Sequence, residues 1–250
     1  RPGASPAEVP GVAPLQTAGA AVPSLVAIAL ARVLYGRQGL RQLFGGFRRW
    51  RVGARWYLVA ILLAPLLTVV ALGLRALFDG DVAVDPGSSL GTELADAGLA
   101  GLLVSLPLVF VASLLTSPLL EEPGWRGFAL PHLQDRLTAL AAGVLLGFVE
   151  GLWQLPIALA GREPLLAYFL GVTGSFTVLV WIFNSTGGSL VMALLYHASL
   201  NLAAGPLQFD PGDLVAPLLT WLVVGLLVLG YGARDLARQQ RFTWEHRPAR

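Results

Sequence analysis

Long apolar segments separated by short polar breaks dominate the pattern of this chain. Seven of them are long enough, or nearly so, to cross the roughly 30 Å core of a bilayer, which takes about 20 helical residues. They span approximately 13–35, 57–78, 99–120, 138–160, 165–183, 189–204 and 214–232. The breaks carry Gly, Pro, Asp and Arg, which are typical of turns. The pattern therefore predicts an all-α, polytopic transmembrane helix bundle of about seven spans within residues 13–232.

The two ends of the chain are predicted to lie outside this bundle. Residues 1–12 are rich in Pro, Ala and Gly, so we expect a disordered leader there. Residues 233–250 form a basic tail. Because the chain begins at Arg1 rather than Met, we expect a missing N-terminal segment, and one further membrane helix would bring the full-length protein to eight spans.

The composition agrees with a lipid environment. Only 13% of the residues are charged and 55% are hydrophobic, whereas a soluble domain carries roughly a quarter charged residues. The absence of cysteine excludes a disulfide framework, a thiolate metal site and a cysteine nucleophile. Neither a Gly-rich phosphate loop nor a Gly-x-Ser-x-Gly elbow is present. We therefore expect the lipid bilayer, and no nucleic acid, among the partners.

The distribution of arginine predicts the orientation in the membrane. All 17 basic residues are Arg, and the segment 36–56 holds six of them without an acid, while the tail 233–250 is also Arg-rich. The segments 79–96 and 208–213 carry acids and no Arg. By the positive-inside rule, the basic segment and the tail are predicted to be cytoplasmic. Within the former, 41–56 fits either an amphipathic helix on the inner leaflet or an ordinary basic loop.

Two adjacent acids follow an apolar run at 118-PLLEEPGWRGFALPHL-133. An acid at the centre of a membrane helix costs roughly 2.5–3.5 kcal/mol, so such residues usually face the bundle interior and have a function there. Glu122 and Arg126 are i,i+4 neighbours and can pair, which leaves Glu121 on another face. Pro123 favours a kink or restart beside Glu122. The alternative is a plain helix end at the interface, where charges are tolerated.

Two further polar pairs interrupt apolar segments at i,i+4 spacing. Glu150 and Gln154 lie inside 138–160, and Glu150 is an unpaired acid that packing explains poorly. His197 and Asn201 share a face of 189–204, where hydrogen bonding between helices is the alternative to a functional role. The run of Thr173, Ser175 and Thr177, near Gly171 and Gly174, is predicted to serve helix packing. His132 is interpreted as a loop residue at the interface.

These residues, in this order, resemble the CPBP intramembrane protease family, also called the CAAX-protease-like or Abi family. The Glu-Glu-x-x-x-Arg motif appears as 121-EEPGWR-126 with the extension 127-GFALP-131, and the His-x-x-x-Asn motif as 197-HASLN-201. The segment 46–67 resembles an early helix of bacterial members. The core motifs fall within 118–204, and the resemblance covers most of the chain.

The resemblance implies a glutamate-dependent endopeptidase of a bacterial inner membrane that cleaves membrane-embedded peptides or proteins. Glu121 would be the general base, Glu122 its arginine-bound neighbour, and Arg126 would orient the acids. His197 and Asn201 would stabilise the tetrahedral oxyanion. The family also implies a divalent metal such as zinc, with Glu121 and His197 as candidate ligands here.

The middle motif departs from the family pattern at 150-EGLWQLP-156. Gln154 stands where the family has a histidine, and Glu150 where it has an aromatic residue. The amide of Gln154 cannot take a proton and is a poor metal ligand, so the metal site is weakened. Glu150 and Gln154 are auxiliary cavity residues in this interpretation, and Glu150 could hold water or an ion. We expect the fold to be retained while catalysis is weakened, altered or lost.

Two other functions stay open on this sequence. A catalytically impaired relative would bind membrane peptides or partner proteins, for instance in immunity to bacteriocins, and Gln154 favours it. A small transporter would use the intramembrane acids and His197 as an ion path. The predicted spans also raise a geometric conflict, because Glu121 falls near a cytoplasmic helix end and Gln154 about 24 Å deep. The two converge only if the first helix continues beyond Glu121, if 127–139 dips back, or if the spans are shifted.

Overall fold

The computed structural model describes residues 12–79, 89–161, 164–204 and 214–244, and the regular elements of these ranges are helices. A short 3₁₀ turn covers Gly46–Arg48 and a π-helical turn covers Trp125–Ala129. The α-helices are α1 (Val12–Gly45), α2 (Ala54–Asp79), α3 (Ser89–Leu114), α4 (Ser117–Gly124), α5 (Leu130–Gln134), α6 (Ala139–Gly161), α7 (Leu165–Ser185), α8 (Leu190–Ala204) and α9 (Val215–Tyr231). The predicted all-α, polytopic bundle is confirmed. The leader predicted for 1–12 lies, except for Val12, outside the described residues.

Five helical stretches in the described part are long and apolar enough to cross a membrane. The helices α8 and α9 are apolar but shorter. The five stretches are Thr17–Arg48, Ala54–Phe78, Leu103–Gln134, Ala139–Ala160 and Leu165–Ser185. These five stretches and the two shorter helices correspond to the seven predicted segments, except that the third ends at Gln134 instead of at residue 120.

The third predicted span, 99–120, is wrong in its boundaries. Helix α3 ends at Leu114, the chain turns at 115–116, and α4 begins at Ser117. The helical path then continues through the π turn to Gln134. Glu121 therefore lies inside a helical path rather than at its end, and the alternative of an interfacial helix end is wrong. The conflict over depth is resolved because the first helix continues beyond Glu121.

The kink or restart that Pro123 was predicted to favour beside Glu122 is not found there. Glu122 keeps helical geometry and α4 runs through Pro123 to Gly124. The path then widens into the π turn at Trp125. Proline has no N–H to donate to the preceding turn, and π turns of this kind frequently occur at functional sites. Arg126 lies in the widened turn.

Residues 41–56 of the basic segment form neither the continuous amphipathic helix nor the ordinary loop that were the two predicted alternatives. Gly36 breaks α1 with a left-handed φ of 62°, a conformation that glycine adopts without a steric penalty. The helix resumes to Gly45, the 3₁₀ turn follows, and α2 starts at Ala54. The membrane-length part of α1 is thus separated from a short basic helix.

Helix α7 lies at the centre of the bundle and packs against α6, α8 and α9. Its residues 176–184 are all buried. Gly147 of α6 faces Thr173 of α7 so closely that an added Cβ would lie 3.0 Å from the Thr173 Cα. The Thr173 and Thr177 pair therefore belongs to a packing surface, as predicted. Ser175 instead faces a cavity.

The residues after α9 fold back over the ends of α5 and α7. The side-chain amides of Gln134 and Asn184 bond to each other, and both bond to backbone carbonyls of this segment. The Trp244 indole N–H donates to the carbonyl of Gly127 at 3.0 Å, beside Arg126. The described part of the tail, 233–244, thus supports the π turn.

His132 lies on α5 rather than in the loop that was predicted for it. Its Nδ1 donates to the carbonyl of Phe128, 2.6 Å away, and its Nε2 accepts from the Tyr35 hydroxyl at 3.0 Å. The imidazole also packs beside the rings of Tyr35, Phe128 and Trp244. This histidine therefore joins α1, α5 and the C-terminal segment and lies away from the acids.

Candidate active site

A buried ion cluster joins α4, the π turn and α6. Nη1 of Arg126 lies 3.1 Å from Glu122 Oε1 and 2.5 Å from Glu150 Oε2, and all three side chains are fully buried. The Glu122–Arg126 pair was predicted from the spacing. The prediction that Glu150 is unpaired was wrong, because its partner comes from a helix that the sequence could not place beside it. Breaking a buried pair of this kind leaves an uncompensated charge, so the three residues depend on one another.

The aromatic face of Phe176 covers the guanidinium of Arg126. The ring centroid on α7 lies 4.4 Å from the Arg126 Cζ, a distance at which the π system attracts the cation. Both acids thus contact the same guanidinium nitrogen, Nη1, while the aromatic ring covers the face of the guanidinium. Arg126 cannot turn toward another partner without breaking several of these contacts.

His197 extends the cluster from α8. Its Nδ1 lies 2.7 Å from Glu122 Oε1, and since a carboxylate accepts, Nδ1 is the donor. Nε2 is therefore the atom that remains available, and it carries a proton only when the ring is the imidazolium. One turn further on α8, the Asn201 amide donates to the Ser117 hydroxyl at 3.4 Å.

Glu121 meets Gln154 on the other side of this cluster. Gln154 Nε2 lies 3.5 Å from Glu121 Oε2, at the long limit of a hydrogen bond. Glu121 is 4% exposed, compared with 0% for Glu122. Of the two adjacent acids, Glu122 is thus engaged by Arg126 and His197, whereas among the described residues the carboxylate of Glu121 has only the Gln154 amide as its direct hydrogen-bond partner.

Several buried polar atoms in this region have no hydrogen-bond partner among the described residues. They are Glu122 Oε2, Arg126 Nε and Nη2, Glu150 Oε1 and Tyr196 Oη. Leaving such atoms unpaired costs about 1–3 kcal/mol each, so a fold retains them only where water or a ligand atom is bound or a function requires it. Four of these five atoms belong to the three side chains of the ion cluster.

A cavity of about 390 Å³ borders the cluster. Gln154, His197 and Asn201 line it, together with residues of α2, α7 and α9. Glu150 does not line it, which corrects the expectation of an auxiliary cavity residue, because its carboxylate is turned to Arg126 instead. Glu121 lies behind Gln154 rather than on the cavity wall itself.

The arrangement does not fit the metal site that the family resemblance implied. In the part of the chain that the structure describes, no three His, Asp or Glu side chains come together as metal ligands. Glu121 and His197 are the two donors near the cavity, and His197 Nδ1 is already bound to Glu122. Zinc sites normally supply three protein ligands or more, and Gln154 replaces the donor that would make the third.

Three residues of the site were not foreseen from the sequence. Ser117 begins α4 directly after a turn, and a serine followed by proline is a signal for a helix start that could have been used. Phe176 and Tyr196 gave no signal, because aromatic residues in apolar segments look like any other core residue. Their contacts with Arg126 and the cavity depend on how the helices pack.

Comparison with known proteins gives two matches. Residues 103–203 match the model of the family described as type II CAAX prenyl endopeptidase Rce1-like, and this range contains all the residues of the cluster. The chain is also similar to a protein named CAAX prenyl protease 2 from Methanococcus maripaludis, with 25% identity over 158 residues, or 58% of this chain. The match covers 54% of that relative, so the chain spans about half of its length.

Proposed function

We propose that this multi-pass membrane protein is an intramembrane endopeptidase with Glu121 as its base, and the match of residues 103–203 to the Rce1-like family model supports this. The observation that supports this most is the convergence of Glu121, Glu122, Arg126, His197 and Asn201 beside one cavity, in which Glu122 and His197 are bonded although they lie 75 residues apart in the chain. By this proposal its substrates are membrane-associated peptides or proteins, and its location is a bacterial inner membrane.

The proposed reaction is the hydrolysis of a peptide bond by an activated water. Glu121 takes a proton from the water, whose oxygen attacks the carbonyl carbon and forms the tetrahedral oxyanion. Glu121 then gives that proton to the leaving nitrogen as the C–N bond breaks, which yields a carboxylic acid and an amine. Glu121 suits the base because no cation neutralises it directly, whereas Glu122 is held by Arg126 and His197.

His197 and Asn201 are the proposed donors to the oxyanion. In the imidazolium form, His197 directs Nε2–H away from Glu122, and the Asn201 amide lies one helical turn further along the same cavity wall. Fixed donors of this kind contribute roughly 10²–10³ in rate each. Glu122, Arg126 and Glu150 do not touch the substrate in this proposal; they hold His197 in place.

The experiment is turnover of quenched membrane peptides by the purified protein in detergent. Glu121→Gln is the decisive variant, because it keeps the shape and an oxygen that can accept from Gln154 but cannot take the proton. Loss of turnover in that variant, with an unchanged elution profile, supports the proposal. The matched control is Gln240→Glu on the exposed C-terminal segment, which should retain turnover. Equal turnover by the Glu121 variant and the unaltered protein contradicts the role of Glu121.

A second candidate function is supported by Gln154, which lines the cavity at the position of the family's middle histidine. In this case the protein binds membrane peptides or a partner protein without cleaving them, for instance as an immunity protein. Peptide retention by both the unaltered protein and Glu121→Gln, with turnover by neither, is the result that distinguishes binding from catalysis.

A further inference from the structure

The cavity lies toward one end of the helix bundle. Gln154 comes fifteen residues after the start of α6 at Ala139, about 22 Å along the helix axis. Thr68 lies at a similar height on α2, fourteen residues after Ala54. The other lining residues come from the first part of α7, the last part of α8 and the first turns of α9, and they include Ala167, Gly171, Ala203, Ala204, Ala216 and Pro217. At this end of the bundle, α6 ends at Gly161, α7 begins at Leu165, α8 ends at Ala204 and α9 begins at Val215.

The exposure of the lining residues shows which way the cavity faces. Tyr196 and His197 form its inner part, at 0% and 2% exposure. Ala204, at the end of α8, is exposed, and Ala216 and Pro217 at the start of α9 are half-buried. The cavity therefore widens from the ion cluster toward the helix ends at 204 and 215.

The arginines lie at the opposite end of the bundle. That end carries the basic helix and turn after Gly36, the link between α5 and α6, and the segment after α9. The described arginines there are Arg37, Arg41, Arg48, Arg49, Arg51, Arg55, Arg136, Arg234, Arg238 and Arg241. The described part of the end that holds the cavity has Arg75. Such an excess of arginine marks the cytoplasmic side.

From these positions we infer that the catalytic cavity opens at the non-cytoplasmic surface of the membrane and takes uncharged, extended peptide segments presented there. The described residues that line the cavity include no Asp, Glu, Lys or Arg, and the ring of His197 is already paired with Glu122, so a charged side chain would lose its hydration without a free partner among them. Ala167, Gly171 and Ala204 leave room for a peptide backbone between α7, α8 and α9. The substrate class rests on the proposed peptidase function, but the direction of the opening does not.

The chain offers a clean test because it has no cysteine of its own. Single variants Ser175→Cys and Ala204→Cys place a thiol in the cavity and at its rim, and Gln240→Cys places one on the exposed segment after α9. Intact cells and inside-out membrane vesicles are treated with a membrane-impermeant methanethiosulfonate. The thiols that remain are then counted with a fluorescent maleimide in detergent.

The cavity thiols are expected to be blocked in intact cells, with at least about fivefold less maleimide labelling, while Gln240→Cys is blocked only in the vesicles. Reaction of Ser175→Cys and Ala204→Cys from the same side as Gln240→Cys overturns the inference. So does a failure of both cavity thiols to react in intact cells when they react in detergent. The labelling needs no catalysis, so an inactive protein that labels as expected contradicts the peptidase and leaves the opening established.

The substrate class is tested separately on cleavage. Single-span reporter peptides are compared that carry the same uncharged segment either at their outer or at their cytoplasmic membrane boundary. We expect cleavage of the outer form only. We also expect this cleavage to be lost when two Asp residues are placed in the segment. Cleavage of the cytoplasmic form, or equal cleavage of the Asp-bearing form, contradicts the inference.

Discussion

Nη1 of Arg126 lies 2.5 Å from Oε2 of Glu150, so the π turn is tied to an acid of α6. The same nitrogen holds Glu122, and Glu122 in turn holds His197. Glu150 therefore contributes an acid to the ion cluster rather than to the cavity. Through Arg126 it also connects α6 with Glu122 of α4.

Arg126→Met is expected to destabilise the protein strongly. The substitution leaves the carboxylates of Glu122 and Glu150 buried without their cation, and breaking a buried pair in this way costs about 3–5 kcal/mol. Thermal unfolding in detergent measures the effect. Arg136→Met, at an exposed arginine ten residues further on, should change the unfolding free energy by less than about 0.5 kcal/mol. Equal effects of the two substitutions would show that the cluster is not a source of stability.

Gly147→Ala tests the close contact between α6 and α7. The new Cβ would lie 3.0 Å from the Cα and from the carbonyl oxygen of Thr173, which are backbone atoms that cannot move aside. Overpacking of this kind typically costs about 1–3 kcal/mol. Gly225→Ala on α9 is the matched control, because nothing lies within 4 Å of its Cβ and alanine favours a helix. The prediction fails if Gly147→Ala unfolds at or above the temperature of Gly225→Ala.

Removal of metal is expected to leave turnover nearly unchanged. Glu121 and His197 are two candidate ligands, and among the described residues they are not joined by a third. Turnover after treatment with EDTA, followed by return of zinc, is the measurement, and we expect it to stay within about twofold. A loss with EDTA that zinc restores would show that a ligand is supplied in another way and that the metal-free reaction proposed for Glu121 is incomplete.

The sequence predicted the fold and the members of the site better than their arrangement. Apolar length defined the bundle, because a bilayer imposes a fixed helix length that a single sequence reveals. The pairing of Glu122 with Arg126 was predicted because residues four apart on a helix are neighbours, which needs no knowledge of the packing. The partner of Glu150 was missed because it depends on the packing of α6 against the π turn. No periodicity indicates that a helix will continue past Glu121 through a proline.

Gln154→His tests whether the amide at this position limits catalysis. Gln154 lies beside Glu121 and lines the cavity, so an imidazole there could hold the attacking water and share its proton, which the amide cannot do. General acid–base groups contribute about 10²–10⁴ in rate, and we expect at least about a tenfold rise in kcat. Gln154→Asn is the matched control, since it keeps an amide and should not rise. If turnover of Gln154→His equals that of the unaltered protein while Glu121→Gln still abolishes it, then Glu121 works without a histidine at this position and Gln154 is not the defect. If neither the unaltered protein nor Gln154→His turns over peptide, the binding function gains the support that the peptidase loses.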